Sequence, residues 1–151
     1  MTRKTDYALV ALATLAREHE GEGRPLSARQ LAEQHDLPLP LLMNALKELH
    51  RAQIIESRRG AGGGYYLLRG PEAITIREVI EAMEGPVSVT LCSDEEHETG
   101  CNTCQIVVNC PISDPMQKFN IMLNTFLSRI TLKSLITSEP IFAMPLSGVQ
   151  V

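Results

Sequence analysis

Apolar residues between positions 5 and 19 fall at Ala8, Leu9, Leu12, Leu15 and Ala16, the spacing of a helix with one buried face. Gly21, Gly23 and Pro25 end that pattern. Ser27 followed by Gln30 is a capping box, which predicts a second helix with Leu31 and Ala32 turned inward. Residues 35–38 read as a turn. Pro40 suits the first turn of a third helix that runs to about Ala52, with Leu42, Ala45, Leu46 and Leu49 as its apolar face. The pattern then shortens to two strands, 54–58 and 65–68, flanking a segment with four glycines, Gly60, Gly62, Gly63 and Gly64. Thr75 and Glu78 form another capping box, and the helix it opens runs to Glu84, where Gly85 and Pro86 stop it. Residues 87–113 read as loop. A helix over 114–128 carries Phe119, Met122, Leu123 and Phe126 on one side, and Thr131 caps a last segment through Ile136. No internal repeat is present, and 139–151 has no clear pattern.

Helix, helix, turn, helix and a two-stranded hairpin is the order of a winged helix-turn-helix domain. The fold expected is mainly α with a small β-hairpin, followed by a long C-terminal helix. Three helices and a hairpin can also form nothing more than a core. The hairpin loop argues for nucleic acid instead. A structural hairpin needs only a two-residue turn, whereas this one sets Arg58 and Arg59 beside glycines that permit positive φ. Such a loop can place an arginine in a minor groove while its backbone nears the phosphates. The surface expected on double-stranded DNA comprises Ser27, Arg29, Pro40, Met43, Asn44, Lys47, Arg58, Arg59 and Gly60. Tyr65 and Tyr66 should alternate across the hairpin, one of them packing on the core.

Net charge is −4, which by itself speaks against DNA, but its distribution changes the picture. Residues 1–70 carry ten Lys/Arg against eight Asp/Glu, and residues 71–151 carry four against ten. Attraction to phosphate is therefore confined to the first half, and non-specific affinity should be modest. With aromatics at 4% and no Trp, the core must be aliphatic. The 151 residues suit one compact domain, or a small domain with an appended helix. No apolar run approaches the roughly 18 residues that span a bilayer, and the start lacks a signal peptide. The expected location is the cytoplasm, where thiols stay reduced.

Cys92, Cys101, Cys104 and Cys110 then read as metal ligands rather than disulfides, with the spacing C-x8-C-x2-C-x5-C. Their segment is polar and glycine-bearing, unlike a site of inert buried thiols. Thiolates suit both zinc and iron–sulfur clusters. Zinc ribbons use two C-x2-C pairs and only Cys101 and Cys104 form one here, so spacing favours a cluster slightly. A dithiol enzyme built on that pair would require a βαβ context, and none is visible. His97 lies within the segment as a further candidate ligand, whereas His35 and His50 read as solvated helix-end residues.

These features together resemble the Rrf family of winged-helix iron–sulfur transcription regulators. The resemblance covers residues 2–136 and rests on Thr5 to Ala8, Ser27 to Glu33, Leu37 to Pro40, Arg59 to Tyr65, Val79 to Pro86 and the cysteine block. The Leu37-Pro38-Leu39-Pro40 and Glu84-Gly85-Pro86 segments are most similar to the SUF-system regulators. The resemblance implies a homodimer joined by the helix over 114–128, and a 2Fe–2S or 4Fe–4S cluster, 2Fe–2S preferred, on three cysteines plus a variable fourth ligand. Cys92 and Cys110 match the outer cysteines and Cys104 the middle one, while Cys101 is extra. Asp6 stands where some relatives supply a carboxylate from the partner subunit. It serves equally well as an acidic residue at a helix start. Cluster state would set DNA affinity; no membrane, small-molecule substrate or enzymatic role is expected. The implied organisation is a DNA-binding domain over 1–86, a cluster-binding loop over 87–113, a dimerisation region over 114–138 and a tail over 139–151. Six positions in three places depart from the family pattern. Leu41, Leu42, Met43 and Asn44 replace small or polar residues on the third helix, Gln53 replaces a turn glycine, and Ser113 replaces a ligating histidine found in some members.

Overall fold

The computed structural model describes residues 2–21, 23–90 and 110–137. The element order is α1 (Arg3–Glu20), α2 (Ala28–Gln34), α3 (Leu39–Arg51), β1 (Ile55–Arg58), β2 (Gly64–Leu67), a 3-10 turn at Pro71–Ala73, α4 (Ile76–Glu84), α5 (Ser113–Arg129) and α6 (Leu132–Ile136). The winged helix-turn-helix order is present as the sequence predicted.

Local chemistry accounts for most boundaries. At the start of α2 the Gln30 N–H donates to Ser27 Oγ at 3.2 Å, and the Ser27 N–H donates to Gln30 Oε1 at 2.9 Å. The same reciprocal pair closes the start of α4, with Glu78 N–H to Thr75 Oγ1 at 3.2 Å and Thr75 N–H to Glu78 Oε2 at 2.8 Å. Caps of this kind contribute about 1 kcal/mol each. Burial pushes the Glu78 carboxyl up, but the Thr75 N–H and hydroxyl and the Arg69 guanidinium outweigh it and hold the carboxyl below its ordinary value. α3 ends differently. Ala52 and Gln53 donate back to Glu48 and His50 carbonyls, and Gln53 takes a left-handed φ of 55°. This is where the family pattern has glycine, so the chain carries backbone strain there.

The core is aliphatic. Leu12 and Leu15 of α1, Leu31 of α2, and Leu42, Leu46 and Leu49 of α3 are buried together with Ile54, Ile55 and Val79. Leu132 of α6 joins them. The chain is drawn back to this core by Ile76 N–H to Ile130 O at 2.9 Å and Leu132 N–H to Ile74 O at 2.8 Å.

Three details differ from the sequence expectation. The first strand is one residue shorter than predicted and the second lies one residue earlier: β1 and β2 pair antiparallel from Ile55 opposite Leu67 to Arg58 opposite Gly64. Ile54 lies before the ladder and is buried, and Leu68 lies beyond it and is exposed. Leu26 adds a third piece to the hairpin, exchanging backbone bonds with Tyr65 at 2.9 and 2.8 Å. α1 begins two residues earlier than its apolar pattern, because Glu84 accepts from the Thr2 N–H and the Thr5 hydroxyl.

Candidate nucleic-acid interface and cysteine-bearing segment

α3 presents Met43, Asn44 and Lys47 outward, opposite the face that buries Leu42, Ala45, Leu46 and Leu49. Across from them stand Ser57 of β1 and Tyr65 of β2. With His50 these residues enclose an open recess of about 340 Å³ between α3 and the hairpin. Three of the residues expected on DNA are thus brought to one concave surface. Pro40 is exposed in the first turn of α3.

The wing loop follows directly from Arg58. Gly60 and Gly62 take φ of 104° and 79°, and the Gly63 N–H returns to the Gly60 carbonyl at 2.9 Å. This turn carries Arg58 and Arg59 into solvent with Gly60. Gly64 serves another purpose: a Cβ there would sit 2.4 Å from the Leu26 carbonyl carbon and 2.5 Å from its oxygen. Only hydrogen fits, so the wing can lie against the segment that leads into α2. That contact places Ser27 at the foot of the wing. Its hydroxyl is engaged in the α2 cap, donating to Gln30 Oε1 at 2.8 Å, while Arg29 is exposed one residue into the helix.

The described cations divide into those in ion pairs and those without one, the second group including Arg3, Lys4 and Arg17 of α1 as well as cations of this surface. Arg51 pairs with Glu48, Arg69 with Glu78, Arg77 with Glu81 and Lys118 with Asp114. Among the described residues, Arg29, Lys47, Arg58 and Arg59 form no ion pair. A cation left without a carboxylate on a surface that also bears a glycine loop is suited to an anionic partner.

Of the cysteine block, Cys92, Cys101, Cys104 and the candidate His97 lie outside the described residues. Cys110 carries a free, half-buried thiol, and its carbonyl accepts from the Ser113 N–H at 3.3 Å as α5 begins. On the other side of the segment, the Val87 carbonyl accepts from Asn124 Nδ2 at 3.0 Å, and the Val89 N–H donates to Asn120 Oδ1 at 3.3 Å. Residues 90 and 110 thus both stand next to chain that is fastened to α5. The sequence pattern shows the apolar side of α5 but not this polar one. Asn120 and Asn124 are buried, whereas Phe119, Ile121 and Met122 are 50%, 57% and 43% exposed. Two asparagines spaced four apart among the apolar residues Phe119, Ile121, Met122, Leu123 and Phe126 were the available signal.

Asp6 is exposed in the first turn of α1. Its neighbour Thr5 is buried, and the Thr5 hydroxyl, followed by the Thr2 N–H, holds the Glu84 carboxyl down to about 2. Glu84 therefore fixes the start of the helix that carries Asp6. Nothing local in the sequence announces this pairing, since the partners lie 79 residues apart. A soft thiol at Cys110, half-buried and free, fits an iron–sulfur cluster or zinc. No helix among the described residues is long and apolar enough to cross a membrane.

Residues 1–138 match the Rrf2 family, described as an iron-dependent transcriptional regulator. The chain is 30% identical to the HTH-type transcriptional regulator IscR of Sodalis glossinidius over 93% of its own length and 81% of that protein. Its fold is similar to that of CymR, described as the global cysteine regulator of B. subtilis. That structure superposes with a TM-score of 0.69 at 27% identity, covering 93% of this chain and 98% of the other. The structure of T. potens IscR gives a TM-score of 0.66 at 24% identity, over 95% and 96% of the two chains, a likeness of fold.

Proposed function

Because the chain belongs to the Rrf2 family of transcriptional regulators, and is a regulator rather than an enzyme, we propose that it binds its operator as a homodimer under the control of an iron–sulfur cluster. The observation that carries the DNA-binding surface is the set of cations on α2, α3 and the wing without carboxylate partners among the described residues. Arg29, Pro40, Met43, Asn44, Lys47, Arg58, Arg59 and Gly60 form that surface in this reading, with Ser27 at its edge. α3 enters the major groove and the wing loop reaches the adjoining minor groove. Met43 and the Leu41 beside it offer apolar contact to thymine methyls, and Asn44 is the hydrogen-bonding reader of an adenine edge.

Dimerisation through α5 is supported by its exposed Phe119 and Met122, one helical turn apart. For the cluster, Cys92, Cys104 and Cys110 are the proposed ligands, completed by Asp6 of the partner subunit or by Cys101. A cluster bound there supplies a charge that changes with iron and oxidants. The chain's own part is to convey that change: Asn120 and Asn124 tie the 87–90 segment to α5, α5 packs on α4, and Glu84 of α4 holds α1. We infer SUF-type cluster assembly genes as targets from the segments at 37–40 and 84–86. A cytoplasmic location accords with this role.

The likeness to CymR favours a second reading, a thiol-responsive regulator without a cluster. Anaerobic purification separates the two. The first reading expects a brown protein with iron and sulfide in stoichiometric amounts, lost in Cys92→Ser, Cys104→Ser and Cys110→Ser. It expects Cys101→Ser to keep a cluster with an altered spectrum, and Asp6→Ala to keep the fold with a more oxygen-labile cluster. A colourless wild type, or one loaded with zinc, refutes cluster control. On the DNA side, Arg59→Ala should weaken binding to a duplex selected from a random pool, and unchanged affinity would remove the wing from the interface.

A further inference from the structure

In the proposed function, the recess between α3 and the wing lies between the two parts of the protein that meet DNA. Duplex geometry constrains what occupies it. Adjoining major and minor grooves are separated by one sugar–phosphate strand. A protein that puts a helix in one and a hairpin loop in the other must straddle that strand. The straddling surface here is the recess of about 340 Å³ lined by Met43, Asn44, Lys47, His50, Ser57 and Tyr65.

Its walls match phosphodiester chemistry. Lys47 supplies a positive charge with no ion-pair partner among the described residues. Asn44, His50, Ser57 and Tyr65 each carry a hydrogen-bond donor, and among the described residues no carboxylate lines the recess. Ser57 and Tyr65 are direct partners across the β1–β2 ladder, so their positions are set together. The Leu26 bridge holds Tyr65 on its other side. The donors on the wing side are thus fixed by backbone pairing before any ligand arrives, which lowers the ordering cost of binding.

We propose that this recess seats one backbone phosphate of the straddled strand, with Lys47 neutralising it from α3 and Ser57 and Tyr65 donating to it from the wing. The inference rests on the DNA-binding reading above and adds Ser57 and Tyr65 to the contacts. The seat fixes the spacing between helix and wing on the duplex; it does not read bases.

The test uses a duplex selected by the wild-type protein from a random pool, titrated across salt concentrations. In a second set of duplexes, each phosphate of a half-site is replaced in turn by an uncharged methylphosphonate. Lys47→Met should lower the slope of log affinity against log salt by about 0.9, the value for one phosphate. Ser57→Ala and Tyr65→Phe should weaken binding several-fold with the slope unchanged, because they remove no charge. One methylphosphonate position should weaken the wild type yet add nothing to Lys47→Met. If every methylphosphonate effect adds in full to those of Lys47→Met, Ser57→Ala and Tyr65→Phe, the phosphate sits elsewhere and the proposal falls. Wild-type affinity in all three variants also overturns it. A wild type that selects no duplex overturns the DNA-binding reading instead.

Discussion

Replacing Gly64 with alanine tests whether the wing is positioned by a backbone contact rather than by its own turn. The added Cβ would lie 2.4 Å from the Leu26 carbonyl carbon, 2.5 Å from its oxygen and 2.7 Å from the Ser27 nitrogen. All three are backbone atoms, so no side chain can swing aside. The relief available is separation of Leu26 from β2, which breaks the two Leu26–Tyr65 bonds of 2.9 and 2.8 Å. At about 0.5–1.5 kcal/mol for each bond, the expected loss of stability is about 1–3 kcal/mol. A chain of this size should lose about 2–4 °C of melting temperature per kcal/mol. Operator affinity should fall further, since the shift displaces Arg58 and Arg59 together. Gly23 provides the contrast. It has a φ of 65° and nothing within 4 Å of its absent Cβ, so Gly23→Ala should cost about 1–2 kcal/mol of backbone strain and leave DNA binding intact. Thermal melts and fluorescence titrations of both variants decide the matter. A Gly64→Ala protein that melts and binds like wild type would refute the reasoning.

Gln53→Gly should stabilise the protein by up to about 1 kcal/mol, the left-handed strain relieved less the entropy glycine gains when unfolded; a destabilised variant in urea melts would show that Gln53 is held there without strain. Glu84 has a carboxyl lowered from 4.5 to about 2. Its contribution is therefore complete above pH 4.5 and lost as pH falls toward 2. Glu84→Gln should flatten that acid limb in pH-dependent melts, and an unchanged limb would contradict the Thr5 and Thr2 contacts. Phe119→Asp, at a 50% exposed position of α5, should give a folded monomer by sedimentation with weakened operator binding. A dimer of wild-type strength would place the subunit contact elsewhere.

Those features that depend on sequence neighbours were legible in advance. Both capping boxes, the apolar faces of α1 and α3 and the glycine wing are chemistry within a few residues of chain, and each is present in the fold. The apolar residues of α5 were equally legible. Which side of that helix faces its own subunit was not, because Asn120 and Asn124 acquire their meaning only from backbone groups at Val87 and Val89. The Leu26–Tyr65 bridge and the Glu84–Thr5 contact escaped for the same reason. Each joins residues between 39 and 79 positions apart that no periodicity relates. That Lys47 and Arg59 form no ion pair among the described residues is likewise a property of the surface, since the sequence shows a carboxylate nearby without showing where it points.

The attachment of residues 87–90 and 110 to one helix has a consequence for how such regulators diversify. The intervening stretch begins and ends on α5, so its closure is provided by the helix and not by whatever the stretch binds. Extending such a connection is inexpensive, about 0.6 kcal/mol for each doubling of its length. Insertions, deletions and exchanged ligands between these two anchor points can then be tolerated without disturbing α3 or the wing. In the proposed function the helix would then act as a socket, and the detector plugged into it would be interchangeable. One DNA-reading frame can in this way serve lineages that answer to different chemical signals.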